Sequence, residues 1–453
     1  MVDSYSIERM SYGPDAISHT PDGKAVFLSG CAAVGDTVQA ETLAEKKNYI
    51  NARIVQIEDC GPHHCEPHCE ALCGGCPWRA MDYAAQIAEK ERNIAFNLSR
   101  VAGLSEADVA RVLQPAVVSE QTLNYRNKVE LGISLEPDGI HVGMSSQLDG
   151  AVQTVAQCRL FPEGKEGIPQ ALQGALRMAL KRNLYGLFRI GIRCSQRSGQ
   201  CEIALWGKPG PFPRDVVRSV LASAFKPFGG VSSIVRVIAD PGKQRRIKRV
   251  EVLDGKGYWE EELRICGQAY RFKTSAPSFF QVNTAAAEEL VEDALDKLSG
   301  ALPSTRTLRG MRIADLYAGG GTFSIPLAAA GADVVAVESA SSSVKDMKRN
   351  AEVNHVCLEC VGGDSARELP HIGPIDALIV DPPRAGLAQD VIRSIAKLAP
   401  NAVVYVSCDP VTLCRDMRLL GENGYEIVSV TPHDLFPQTY HVETVSLLSR
   451  TTK

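Results

Sequence analysis

Cysteines stand at two places in this chain where chemistry is possible. The run Val403-Val404-Tyr405-Val406-Ser407-Cys408-Asp409-Pro410 is apolar and β-branched, reads as a strand buried on both faces, and is stopped by Asp409-Pro410. Cys408 therefore falls at the C-terminal tip of a strand, where ligands sit in open α/β sheets. A thiol there is either a small buried hydrophobe or a nucleophile over a crevice. The second group is denser: Cys60, Cys65, Cys69, Cys73 and Cys76 share one short stretch with His63, His64 and His68. Cys73-Gly74-Gly75-Cys76 has the two-residue gap that lets two sulfurs face one ion or cluster, and such density points to a metal. The histidines favour zinc and all-cysteine ligation favours iron–sulfur, so the ligand chemistry leaves both open. Cys158 is isolated in sequence, and nothing local makes it a ligand.

The elements that must position Cys408 form an alternation of strands and helices from about residue 305 onward, which implies a parallel sheet with crossover helices. Its first strand, Arg312-Ile313-Ala314-Asp315-Leu316-Tyr317, runs into Ala318-Gly319-Gly320-Gly321-Thr322-Phe323. Glycines at such a turn let the backbone approach a ligand at a helix N-terminus. The spacing is not the dinucleotide fingerprint, and the lysine of a P-loop is missing. A second strand, Asp333-Val334-Val335-Ala336-Val337, ends in Glu338, an acid placed to meet a ribose diol. Turn and acid together indicate a nucleoside-containing cofactor. Asp381-Pro382-Pro383-Arg384 follows a further apolar strand; its prolines make a rigid turn without backbone donors, suited to a planar ring or simply to ending the strand. Glu443 precedes an apolar strand at 444–448, and alone it would pass for a surface carboxylate.

Upstream, residues 1–59 read as short strands broken by glycine turns, the clearest at 24–28, 36–40 and 52–57, which is the pattern of a small β-barrel. A helix is expected over about 82–103, with Tyr83, Ile87, Ile94, Leu98 and Val101 on one face. Strands and turns with one amphipathic helix, 169–181, fill about 113–270. The 453 residues suit about three domains. Charged residues make up 23%, and no apolar run could span a bilayer. The N-terminal stretch lacks the basic start and apolar core of a secretion signal, so a cytoplasmic location is expected. A net charge of -4 gives no global attraction to nucleic acid. Any such binding must use local patches, above all Lys243, Arg245, Arg246, Lys248 and Arg249.

These segments together resemble the S-adenosylmethionine-dependent RNA uracil-C5 methyltransferases, most closely the members that act on 23S ribosomal RNA. The resemblance covers almost the whole chain. It rests on the Gly30 to Asp36 region with Lys46-Lys47 and Ala52-Arg53, on Cys73-Gly74-Gly75-Cys76, Tyr125-Arg126-Asn127-Lys128 and Ser278-Phe279-Phe280-Gln281-Val282-Asn283, and on the glycine turn, Asp381 to Arg384, Ser407 to Pro410, and Phe436-Pro437 through Glu443, all in order. It implies an α/β fold: a class I, Rossmann-like methyltransferase domain over 271–453, an N-terminal TRAM- or OB-like barrel over 1–59 that binds RNA, and a central α+β domain over 60–270 that carries the cysteines and further RNA contacts. It also implies that Gln281, Tyr317, Thr322, Glu338, Asp364 and Asp381 surround S-adenosylmethionine, with Gln281 and Asp381 close to the target base. Cys408 would be the nucleophile and Glu443 the general base. A [4Fe-4S] cluster would be held by Cys69, Cys73, Cys76 and Cys158, although the family spacing falls on Pro67, and Cys65 competes with Cys69.

The chemistry matches the groups. Uracil C5 attacks a sulfonium methyl only after a thiolate adds at C6 and gives C5 carbanion character, and the C5 proton must then be removed by a base. An ordinary thiol is only a few per cent ionised at pH 7, so the site is expected either to lower the thiol's pKa or to take its proton on binding. The base must leave the RNA stack to reach it. Two rivals follow: a tRNA uridine-C5 methyltransferase, whose bacterial form lacks the barrel and cysteine cluster, and a non-catalytic RNA-binding iron–sulfur assembly factor. The first differs in substrate, the second in lacking cofactor binding. No membrane and no obligate protein partner are indicated.

Overall fold

The computed structural model describes residues 2–69, 71, 73–146, 150–241, 247–301 and 307–451. The C-terminal sheet positions the site. Its strands are β1 (Arg312–Leu316), β2 (Asp333–Glu338), β3 (Glu359–Gly362), β4 (Ala377–Val380), β5 (Ala402–Ser407), β6 (Tyr425–His433) and β7 (Glu443–Arg450). They lie in the order β3-β2-β1-β4-β5-β7-β6. The first five are parallel, and β7 inserts antiparallel between β5 and β6. The order reverses between β1 and β4, which opens a crevice beyond their C-terminal ends.

Strand periodicity explains the two cores. Val404 and Val406 point to one face, with Ile313, Val334 and the apolar side of the helix Thr284–Ala301. Val403 and Tyr405 point to the other, with Ala314, Val335 and the helices Gln389–Leu398 and Pro410–Glu422. Both faces are covered, so these strands are apolar throughout rather than alternating. Segments before 271 also join these cores, among them Ile94 and Leu98 of the helix Tyr83–Arg100, and Trp259, Leu263 and Tyr270 of the hairpin Trp259–Ile265 with Gln268–Thr274, which itself runs across 271.

Residues 2–59 form a six-stranded sheet in which Tyr49–Asp59 pairs antiparallel with Thr37–Glu45 and parallel with Ala25–Ser29. A second seven-stranded sheet occupies 128–255. Two helices cover it, not one. Ile168–Leu180 matches the expected amphipathic segment, and Arg214–Ala224 is added; the latter buries only Val217 and Leu221, a stripe too narrow to stand out in the sequence. The helix Tyr83–Arg100 also differs from expectation, because its buried face carries Gln86, Glu89, Lys90, Asn93 and Asn97 rather than an apolar stripe alone. Of the basic run, residues 243–246 lie outside the described residues; Lys248 and Arg249 stand exposed at the start of the strand Ile247–Gly255. Among the described residues no helix is long and apolar enough to cross a membrane.

Candidate active site

The predicted residues are gathered along one edge of the C-terminal sheet. Tyr317 and Thr322 lie on the turn after β1, Glu338 ends β2, Asp364 follows β3, Asp381 follows β4, Cys408 follows β5, and Glu443 begins β7. Tyr317 takes a left-handed conformation, φ 63°, to leave the strand, and Gly319 and Gly321 follow at φ 56° and 91°. A Cβ on Gly319 would meet nothing, so the turn faces open space. Glu338 folds over this turn, accepting from the Gly319 amide at 2.9 Å and the Ala340 amide at 2.6 Å. Asp364 is exposed and caps the short helix Ser365–Glu368 by accepting from Ala366 N at 3.0 Å.

Gln281 arrives from outside the sheet, on the segment leading into the helix Thr284–Ala301. Its carbonyl accepts from Asn127 Nδ2 at 2.9 Å, and its buried Oε1 has no partner. A buried amide oxygen left unpaired is a ready acceptor for a ligand donor.

Cys408 and Glu443 meet at adjacent strand ends, because β5 and β7 pair Ser407 with Thr444. After Cys408 the chain turns at once into a helix: Asp409 caps it by accepting from Val411 N and Thr412 N, both at 3.0 Å. The Asp-Pro pair thus opens a helix as well as ending the strand. Burial pushes the Cys408 thiol up to about 12, helped by the Glu443 and Asp381 carboxylates, while Arg384 opposes them. Without substrate, then, the site raises the thiol's pKa instead of lowering it, and removal of the proton on binding is the alternative that survives. Burial also holds Glu443 well above the usual carboxylate range, with Asp381 adding to the effect. Asp381 itself is pushed up to about 7 by burial and Asp315.

A further acid, Asp315, stands in the strand that leads into the glycine turn. It is fully buried in β1, accepts from Ser324 Oγ with one oxygen, and leaves the other without a partner; burial brings it to about 7. The signal was available, as an acid inside an apolar strand run.

The wall beside Cys408 comes from the segment before β7. His441 lies 4.1 Å from the Tyr440 ring and 5.7 Å from Phe436, and its Nδ1 is 3.4 Å from Arg384 Nη2. Burial and the arginines pull its ring down to about 4, so it is neutral at pH 7. Helix Tyr83–Arg100 straps this segment. Lys90 Nζ donates to Asp434 at 2.6 Å with both side chains buried, Gln438 N donates to Gln86 Oε1 at 2.8 Å, and Tyr125 OH donates to Pro437 O at 2.9 Å.

The cysteines come together in part. Cys69, Cys73, Cys76 and Cys158 line one cavity of about 20 Å³, with His68 and Arg79 beside them. The residues after Cys158 are tied to 124–126 by hydrogen bonds from the Asn124 and Arg126 amides to the Arg159 and Leu160 carbonyls, at 2.7 and 2.9 Å, and Tyr125 packs with Cys76, Leu160 and Cys158 in one small cluster. Cys65 is outside this lining, its thiol 3.7 Å from Arg79 O, and Cys60 is exposed. Among the described residues no three His, Cys, Asp or Glu side chains converge as a single metal ion requires. Four cysteine sulfurs are, as a donor set, the kind that a polynuclear iron–sulfur cluster takes.

The family model of the tRNA (uracil-5-)-methyltransferases matches residues 235–369 and 374–451. A Thermotoga maritima protein, named an uncharacterized RNA methyltransferase, is 32% identical over 462 residues, 99% of each chain. The chain belongs to the RNA uracil-5-methyltransferase family. A second RNA methyltransferase of this kind, from Thermosynechococcus vestitus, is 30% identical and covers 96% of both chains. Among solved structures, the Pyrococcus abyssi tRNA (uracil-54, C5)-methyltransferase in complex with S-adenosyl-L-homocysteine is 25% identical, with a TM-score of 0.74 over 98% of this chain and 99% of that one. This methyltransferase is therefore an S-adenosylmethionine-dependent enzyme with RNA as its substrate, and the non-catalytic reading falls.

Proposed function

We propose that the enzyme makes 5-methyluridine in 23S ribosomal RNA through a covalent bond between Cys408 Sγ and uracil C6. The observation that carries the mechanism is the strand pairing that sets Cys408 beside Glu443, with Asp381 as the second nearby acid. Bound S-adenosylmethionine supplies the sulfonium methyl group, and Tyr317, Thr322, Glu338, Asp364, Asp381 and Gln281 would hold it. Gln281 Oε1 would also accept from the N3–H of the flipped uracil. A thiol at about 12 needs its proton taken as the base enters, and Asp381, which titrates near 7 and so is partly ionised at neutral pH, is the acceptor. The thiolate adds at C6, C5 takes the methyl group, and Glu443, which must have lost its own proton in the loaded site, removes the C5 proton so that the Cys408–C6 bond breaks and the double bond returns.

The sheet over 2–59 and the basic run that includes Lys248 and Arg249 would grip the RNA backbone. Cys69, Cys73, Cys76 and Cys158 would hold a [4Fe-4S] cluster with a structural or RNA-positioning role, since methyl transfer needs no electron transfer. Tyr125 and Arg126, whose guanidinium lies 5.9 Å from the Phe436 ring, connect that cavity to the wall of the site.

A tRNA substrate is the second reading, and the whole-chain likeness to a tRNA enzyme favours it. Transfer of labelled methyl from S-adenosylmethionine to unmodified 23S rRNA and, separately, tRNA distinguishes them. Label at uridine C5 in rRNA, lost in Cys408→Ala, is expected. Label only in tRNA replaces the substrate, and turnover by Cys408→Ala removes the covalent mechanism. Glu443→Gln is expected to accumulate methylated RNA bound to protein.

A further inference from the structure

We infer that Tyr12, on the bend between the strands Arg9–Met10 and Ala16–His19 of the N-terminal sheet, is a positioning residue for Cys408, so that this sheet contributes to the chemical step and not only to holding RNA. The inference rests on the reading of Cys408 as the nucleophile. Tyr12 OH donates to the Cys408 carbonyl oxygen at 2.8 Å, across 396 positions of sequence. Its ring joins the core that contains β5 and stands edge-on to Tyr440, with centroids 6.1 Å apart. The charges of Asp409, Cys408 and Glu443 act on the hydroxyl in one sense and that of Arg384 in the other. Burial and these acids hold the phenol above its ordinary range, so it stays a donor at working pH.

The Cys408 carbonyl lies just past the last Ser407–Thr444 pair and just before the Asp409 cap, at the bend between strand and helix. Rotation of that peptide would swing Sγ, and misplacing a reacting atom by about 1 Å can cost on the order of a hundredfold in rate. Tyr12 is itself held. Two residues earlier, Met10 N donates to Glu89 Oε2 at 2.7 Å, and Met10 is buried in the core with Trp78, Met81 and Ala85. The sheet is thus docked on the helix that straps the 434–442 segment, and from there it presents one hydroxyl to the nucleophile's backbone.

Tyr12→Phe keeps the ring and removes the bond. The test uses substrate RNA transcribed with 5-fluorouridine, whose C5 has no proton to lose, so the adduct accumulates. At saturating RNA and S-adenosylmethionine, the adduct rate constant is expected to fall about tenfold, with RNA affinity within about twofold and thermal melting close to wild type. Asn93→Ala, which loosens docking at Met10 O without reaching Cys408, serves as the control and is expected to keep the wild-type rate. An unchanged rate in Tyr12→Phe overturns the inference, as does an equal loss in Asn93→Ala, which would assign the effect to docking alone. A wild-type enzyme that forms no adduct overturns the nucleophile reading instead.

Discussion

Glu443 stands beside Cys408 because an antiparallel strand, β7, returns next to β5 and pairs Thr444 with Ser407. In an all-parallel sheet the residue beginning the neighbouring strand would lie at the opposite edge. Here the inserted strand brings an acid from near the end of the chain to the thiol's side, and the low dielectric that protonates one protonates the other.

Asp315 ties stability to pH. Its carboxyl titrates near 7 in the folded protein against an ordinary value of 3.8, so the folded state holds more protons than the unfolded one between those values. That contribution is complete below about pH 4 and is lost as pH rises through about 7. Asp315→Asn cannot lose it. The variant's unfolding free energy relative to wild type is expected to rise by about 2–4 kcal/mol from pH 4 to pH 8. Denaturant curves at both pH values check this, and a constant difference would count against it.

Lys90 and Asp434 form a buried ion pair that fixes the segment leading to Glu443. Lys90→Met leaves an unpaired buried carboxylate and is expected to cost about 3–5 kcal/mol of stability. Lys90→Met with Asp434→Leu removes both charges and is expected to recover most of the loss. Urea unfolding of the single and double variants decides, and equal losses in both would refute the pair.

The cysteine cavity predicts which thiols matter. After anaerobic purification, Cys69→Ser, Cys73→Ser, Cys76→Ser and Cys158→Ser should each lose iron, acid-labile sulfide and visible absorption. Cys65→Ser should keep all three, since its thiol lies outside the lining. Loss with Cys65 and retention with Cys69 would reverse the assignment.

Glu338 is expected to bind the cofactor ribose. Glu338→Gln should weaken S-adenosylmethionine binding about tenfold, a difference of about 1.4 kcal/mol, with RNA affinity unchanged. Calorimetric titration reads the first and filter binding the second; an unaltered cofactor affinity would leave Glu338 its bonds to Gly319, Ser339 and Ala340.

The edge of the sheet was legible because strand tips are local features. Apolar β-branched runs, the glycines at 319–321 and the Asp-Pro pairs fix where each strand stops, and in an α/β sheet the stops are the site. From these the positions of Glu338, Asp381 and Cys408 follow without knowing a single contact. Tertiary structure alone decided which distant residues stand beside them. Nothing around Tyr12 in the sequence indicates Cys408, nothing around Lys90 indicates Asp434, and nothing around Cys158 indicates Cys69, Cys73 and Cys76. The same limit hid the burial of Gln86, Glu89, Lys90 and Asn93, which resemble an exposed helix face until their partners are in place. Periodicity and turn chemistry are written in neighbouring residues, whereas a buried polar contact depends on two segments whose meeting is set by the packing of everything between them.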